Sequence, residues 1–250
     1  PSVFVEEAVQ QADGRLVVCG FQFGATIQAA VKRLTADGDL DTGYGSGGAT
    51  TVDLGLEEYG RACALDSSGR VILVGGQASV PSNQNGPEQG FVMRFSTSGT
   101  LDTSFRGGTY LWDGDGATEV DLRGVAIQSD GKIVACGERR TTSSFSDRYA
   151  LLVRFLSNGQ LDSSFGGAGY VTLGSSGTNF VGVHLQSTGR IVALQWSPEI
   201  IRAYRQSDGA VDTSFGSAGH VDLPFIGYYG EFLSMYGDDR LLACGFAFGG

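Results

Sequence analysis

Apolar runs of four or five residues recur along this chain at near-regular intervals, each entered through a short polar turn that ends in a basic residue. The copies are Asp13-Gly14-Arg15 before LVVCG, Ser68-Gly69-Arg70 before VILVG, Asp130-Gly131-Lys132 before IVACG, Thr188-Gly189-Arg190 before IVALQ, and Asp238-Asp239-Arg240 before LLACG. Turn positions 14, 69, 131, 189 and 239 stand 55, 62, 58 and 50 residues apart. A second motif keeps the same beat: LDTGYGSGG from Leu40, LDTSFRGG from Leu101, LDSSFGGAG from Leu161 and VDTSFGSAG from Val211. Self-similarity at this period takes precedence over local propensity, because each repeat is one supersecondary unit.

Each unit holds an apolar strand, the Gly turn, a second apolar strand, a connection of variable length, an amphipathic strand such as FVMRF (91–95), the LDxSFG turn and a final strand such as HVDL (220–223). Four short strands joined by Gly-containing turns predict a propeller blade, since the strands of a sandwich do not repeat in sequence. No segment reads as a long helix. The expected fold class is all-β, a β-propeller or propeller-like array of about four and a half four-stranded blades. It is read as a single repeat domain, 1–250, with units of about 5–60, 61–123, 124–181, 182–231 and a partial 232–250. The half unit follows from CGFQFG (19–24) and CGFAFG (244–249), which are the same half and cannot complete each other. Either the chain is a fragment of a longer array, or the last blade is incomplete, or further repeats or a second chain supply the missing strands.

Composition narrows the function. Glycine supplies 40 of 250 residues, and the hairpin turns account for the excess because they need positive φ. Lys plus Arg less Asp plus Glu is 17 − 27 = −10, which repels phosphates and argues against nucleic-acid binding. No apolar stretch approaches the roughly 20 residues that span a bilayer, so membrane insertion is not expected. A chain beginning at Pro1 reads as a processed or subcloned piece, with any targeting signal out of view.

Catalytic and metal signatures are missing from the sequence: there is no CxxC, HExxH, GxSxG or P-loop, and the two histidines are His184 and His220. No cofactor or metal is expected. The recurring Asp41, Asp102, Asp162 and Asp212 read as turn formers that accept backbone N–H bonds and pair with Arg33, Arg94 or Arg154 eight residues earlier. Tyr44, Phe105, Phe165 and Phe215 read as plugs between blades. Cys19, Cys136 and Cys244 share a slot filled elsewhere by Val74 and Leu194, and Cys63 lies beside Ala62 and Ala64 on a first strand. All four are expected as buried free thiols, because equivalent points on different blades stand beyond the roughly 7 Å that a disulfide tolerates between Cα atoms.

The two motifs resemble the delta-60 repeat family of bacterial proteins, and the resemblance covers almost the whole chain. It implies a β-propeller-like array of largely unknown function, often in large or exported proteins, and through that alone a secreted or cell-surface location. Arg106 in place of Gly, Tyr204 in place of Arg and Asp239 in place of the turn Gly depart from the pattern.

Strand alternation places both motifs at one end of every blade. The other end receives the connections 77–90, 138–149 and 195–199 and the links between units, where the repeats differ. Variable loops on a rigid scaffold carry binding. The candidate ligand-binding residues there are Tyr59, Trp112, Asp113, Asp115, Arg139, Arg140, Trp196, Tyr228 and Tyr229. Aromatics mixed with carboxylates and arginines suit a glycan or a protein partner, so a noncatalytic binding module is expected. The alternatives are a structural segment of a larger surface protein, or a glycan-acting hydrolase or lyase drawing on Asp113, Asp115, Glu138 and Glu199. A hydrolase would need two carboxylates about 5 to 9.5 Å apart.

Overall fold

The repeat dictates the strands seen in the computed structural model, which describes residues 3–78, 89–142, 147–173, 177–196, 198–223, 228–235, 237 and 239–247. The first sheet comprises β1 (Val3–Gln10), β2 (Leu16–Phe23), β3 (Ile27–Leu34) and β4 (Ala49–Val52). The second comprises β5 (Glu57–Leu65), β6 (Val71–Ala78), β7 (Gln89–Phe95) and β8 (Thr109–Trp112). The third holds β9 (Glu119–Ile127), β10 (Ile133–Arg140), β11 (Arg148–Phe155) and β12 (Tyr170–Thr172), and the fourth β13 (Asn179–Leu185), β14 (Ile191–Trp196), β15 (Ile200–Tyr204) and β16 (His220–Asp222). Each is four-stranded with strands adjacent in chain order, and β17 (Tyr228–Met235) with β18 (Leu241–Ala247) forms a two-stranded half. The one helical element among the described residues is a short 3-10 turn at Arg106–Gly108.

The chain divides into two compact units, residues 1–122 with 158–160, and residues 123–157 with 161–250. In the first, the core gathers Val17, Val31, Leu73, Phe91 and Met93 with the plug Tyr44, all fully buried. In the second, Val134, Leu152, Ile191 and Tyr204 pack with the plug Phe165. These are inward positions of the apolar runs, and in the second and third blades the two middle strands are buried along almost their whole length.

A regularity that the apolar pattern does not show is a bulge in the first strand. Pairing with the second strand slips between Val5 and Glu7, Gly60 and Ala62, Phe180 and Gly182, and Gly230 and Phe232, so Glu6, Arg61, Val181 and Glu231 are the extra residues. A bulge at the same place in repeated units re-aims one side chain per unit away from the ladder.

The cysteine expectation is corrected. Cys19 on β2 and Cys63 on β5 form a disulfide, with Cα atoms 6.3 Å apart. The distance argument failed because Cys63 does not occupy the slot of Cys19. It lies on the first strand of the next blade, which packs across the middle strand of the preceding one, and both side chains are buried. Cys136 is buried in the equivalent slot of the third blade, while the side chain of Cys244 lies outside the described residues. Thiol titration of the denatured, unreduced protein is therefore expected to find two fewer thiols than after reduction. Equal counts would contradict the bond.

Candidate functional site

The end of each blade that carries both motifs is closed by hydrogen bonds. Arg33, Arg94 and Arg154 each donate through Nε to Asp41, Asp102 and Asp162 at 2.8 Å. The other carboxylate oxygen of each accepts a backbone N–H two residues on, from Gly43, Ser104 and Ser164 at 3.1 to 3.2 Å. Each guanidinium also lies over the plug ring, at 4.5 Å for Tyr44, 4.7 Å for Phe105 and 4.6 Å for Phe165. In the fourth blade Tyr204 replaces the arginine, and Arg190 of the Gly-turn motif takes over, donating to Asp212 at 2.6 Å with Phe215 beneath it at 5.3 Å.

The plug then locks onto the next blade. Within the first unit the Tyr44 ring fills the space where Gly99 would carry a Cβ, and Phe105 does the same at Gly159; within the second, Phe165 does so at Gly209. Gly45 and Gly166 donate to the carbonyls of Ser98 and Asp208 at 2.8 Å. Gly99, Gly159 and Gly209 have φ of +87°, +86° and +76°, so the glycine two residues before the second motif of these three blades is required both by backbone conformation and by the ring against it.

Hydrogen bonds to the Ser214 hydroxyl and to Arg190 bring the Asp212 carboxyl down to about 2. Asp102 is lowered chiefly by the Ser104 hydroxyl, and at Asp162 burial pushes upward but the Ser164 and Arg154 bonds outweigh it. With folded values below the ordinary 3.8, these groups stabilise the fold above about pH 4, and that stability is lost as pH falls toward about 2. Urea unfolding at stepped pH is expected to show this decline, and Asp212→Asn is expected to make it shallower. An unchanged slope would remove Asp212 from the account.

The opposite end divides the predicted residues into distinct groups. In the first unit Tyr59 is buried, its hydroxyl donating to Glu57 at 2.8 Å with Arg61 over the ring at 5.3 Å, and Trp112 is buried at the end of β8. Neither ring faces solvent, so both cover the bases of the links. Asp113 and Asp115 are exposed in a turn where Asp113 accepts the Asp115 N–H at 3.1 Å and Asp115 has φ of +55°. In the second unit Arg139 lies over Tyr170 at 5.5 Å, Arg140 is buried, and Trp196 is half-buried at the end of β14. Tyr228 and Tyr229 pair through their backbones with Ala247 and Phe246, and their side chains lie outside the described residues, as do 79–88 and 143–146 of the variable connections.

Sequence reading missed the buried Glu58 and Asp121 and the half-buried Arg61 on the first strands, and took Glu138 of β10 only as a hydrolase acid. Arg61 reaches Glu6 and the fully buried Asp121, each at 3.5 Å, in the first unit. Glu58, also fully buried and pushed up by that burial, accepts from Gln77 Nε2 at 3.2 Å. In the second unit the buried Glu138 carboxylate is surrounded by Arg140 at 3.1 Å, Arg148 at 3.2 Å and Arg123 at 3.6 Å. That makes Glu138 the counter-ion of three guanidiniums. Glu199, the remaining acid of the hydrolase alternative, is half-buried beside β15. The signal was present in EEYGRAC and VDLRG, where charges interrupt a first strand next to glycine.

The family profile "Domain of unknown function (DUF5122) beta-propeller" matches residues 11–44, 67–105 and 128–165. Each match runs from a Gly turn to the plug of the same blade. This is a chain of propeller-type repeats. No curated protein matches it in sequence. Among solved structures it is similar to a protein of unknown function from Bacteroides caccae, with TM-score 0.59, 9% identity, and 98% of this chain covering 72% of that one. It is similar also to the hydrazine synthase of Kuenenia stuttgartiensis (TM-score 0.58, 14% identity, 97% of this chain on 36% of that one). A puromycin hydrolase follows at TM-score 0.51 and 14% identity, with 95% of this chain on 35% of that one. At these identities the likeness is one of fold. The propeller repeat thus spans about a third of the length of the two enzymes.

Proposed function

We propose that this propeller is a noncatalytic binding module, recognising a glycan or a protein through the end of the blades opposite the two repeated motifs. The supporting observation is the division of labour between ends. Asp41, Asp102, Asp162 and Asp212 at the motif end are each spent on a turn and an arginine, whereas the connections 77–90, 138–149 and 195–199, which differ in length from blade to blade, belong to the other end. A side chain required in all units serves the scaffold, and one that varies is available for recognition. The acids of the hydrolase alternative fit this reading: Glu138 is held between arginines, and Asp113 and Asp115 sit in one exposed turn.

Screening the full chain on glycan and protein arrays tests the proposal. Partners found should lose affinity in Arg139→Ala or in Asp113→Asn, each tested by itself, and keep it in Asp37→Asn, which alters an exposed acid at the motif end. The opposite pattern would reverse the assignment of ends. Release of reducing sugar from a bound glycan would replace binding with hydrolysis.

A further inference from the structure

The Cys19–Cys63 pair has a third neighbour. Glu7 of β1 turns its carboxylate inward, Oε2 accepting the Cys63 N–H at 2.8 Å. One ligand atom from each of Glu7, Cys19 and Cys63 lies within 4.8 Å of the other two, and no other such group of three forms among the described residues.

Comparison between blades shows that this trio is a local departure from the repeat. The slot of Glu7 holds Ala62, Gly124, Gly182 and Phe232 elsewhere, and the slot of Cys63 holds Ala8, Val125, Val183 and Leu233. The equivalent junction in the second unit keeps the cysteine, Cys136, with Gly124 and Val183 in the slots of Glu7 and Cys63. There a Cβ on Gly124 would stand 2.9 Å from Cys136 Sγ and 3.2 Å from the Val183 N, so the geometry is the same and the chemistry is apolar. Two unusual residues appear together at one junction, aimed at a cysteine that the repeat already supplies.

A disulfide does not explain the carboxylate. The bridge is neutral and gives the half-buried Glu7 carboxyl no counter-charge. Two thiolates and a carboxylate converging on one point are instead the ligand set of a thiophilic divalent cation. Around tetrahedral zinc, with Zn–S about 2.3 Å and Zn–O about 2.0 to 2.2 Å, ligand atoms stand roughly 3.5 to 3.8 Å apart. Reduction lets the two bonded sulfurs move apart toward that spacing, while the Glu7 carboxylate already stands within 4.8 Å of both. The backbone is set for either state.

We propose that, once the disulfide is reduced, Cys19, Cys63 and Glu7 form a zinc-type metal site joining the first two blades, with water as the fourth ligand. A dithiol supplies two electrons and two protons, is itself oxidised to a disulfide, and leaves two thiols on the protein. Binding of the dication then releases both thiol protons to solvent. Disulfide and metal are alternative clasps for one junction, chosen by the redox state of the surroundings.

The test is cobalt titration of the full chain after reduction with a phosphine, read by sulfur-to-cobalt charge-transfer absorption. One equivalent is expected to bind the reduced protein and none the oxidised protein, with zinc displacing the cobalt. Cys63→Val, which installs the residue found in sister slots, should keep the fold by circular dichroism and abolish the band although Cys136 and Cys244 remain. Glu7→Gln should weaken cobalt binding at least tenfold. Absence of the band in the reduced chain overturns the proposal, as does its persistence in Cys63→Val or unchanged affinity in Glu7→Gln. Loss of fold on reduction that zinc does not restore overturns it too.

Discussion

Arg154→Ala is expected to lower the unfolding free energy by about 3 to 5 kcal/mol, the range for removing one partner of a buried ion pair. The pair qualifies, with Arg154 2% and Asp162 8% exposed. Besides Asp162, the guanidinium donates to Ser164 Oγ at 3.1 Å, to the Ser207 carbonyl at 3.2 Å and to the Gln206 carbonyl, and it covers the Phe165 ring. Truncation takes the arginine from the Asp162 carboxylate, which keeps only its Ser164 donors, and from two carbonyls, and it uncovers the Phe165 ring. The control is Arg205→Ala, whose partner Asp208 is 2.6 Å away but whose pair is half-exposed. Exposed pairs contribute about 0 to 1 kcal/mol. Urea unfolding of the two variants should separate them widely, and equal losses would mean that Arg154 is not a keystone.

Gly99→Ala is expected to cost about 2 to 5 kcal/mol, from two separable terms. Left-handed backbone costs an alanine roughly 1 to 2 kcal/mol. Overlap with the Tyr44 ring, 2.7 Å from the new Cβ, and with the Gly45 N at 2.8 Å adds about 1 to 3 kcal/mol of overpacking. Gly38→Ala isolates the first term, since its φ is +91° and nothing lies within 4 Å of the added carbon. If both variants lose the same stability, the plug does not press on the turn of the next blade.

What was legible in the sequence is what repeats. The strand order, the half blade and the Arg–Asp pairing eight residues apart are each written several times, so coincidence averages out and the constraint remains. The disulfide was hidden because Cys63 departs from the repeat, and a rule about equivalent slots has nothing to say of a residue in a different one. Arg190 standing in for the missing arginine at Tyr204 was hidden for a related reason: the substitute comes from the other motif. The bulges leave no periodic trace, because one extra residue in a strand with glycine beside it reads like ordinary variation. Tyr59 and Trp112 were assigned to the recognition surface from residue type and loop position, and neither reports burial. Glu58 and Asp121 were passed over since a charge in a strand usually marks a solvated face, and Glu138 was offered only as a hydrolase acid; packing alone shows that these are enclosed.

If the repeated aspartates hold the scaffold, stability depends on them and not on exposed acids at the variable end. Equilibrium urea unfolding of Asp102→Ala beside Asp113→Ala tests it most directly. Asp102 accepts from Arg94, from the Ser104 N–H and from the Ser104 hydroxyl, whereas Asp113 is exposed and accepts one turn N–H. The account predicts a loss of about 1 to 3 kcal/mol for Asp102→Ala and no more than about 0.5 kcal/mol for Asp113→Ala. Asp102→Ala at wild-type stability, with Asp113→Ala strongly destabilised, would contradict it.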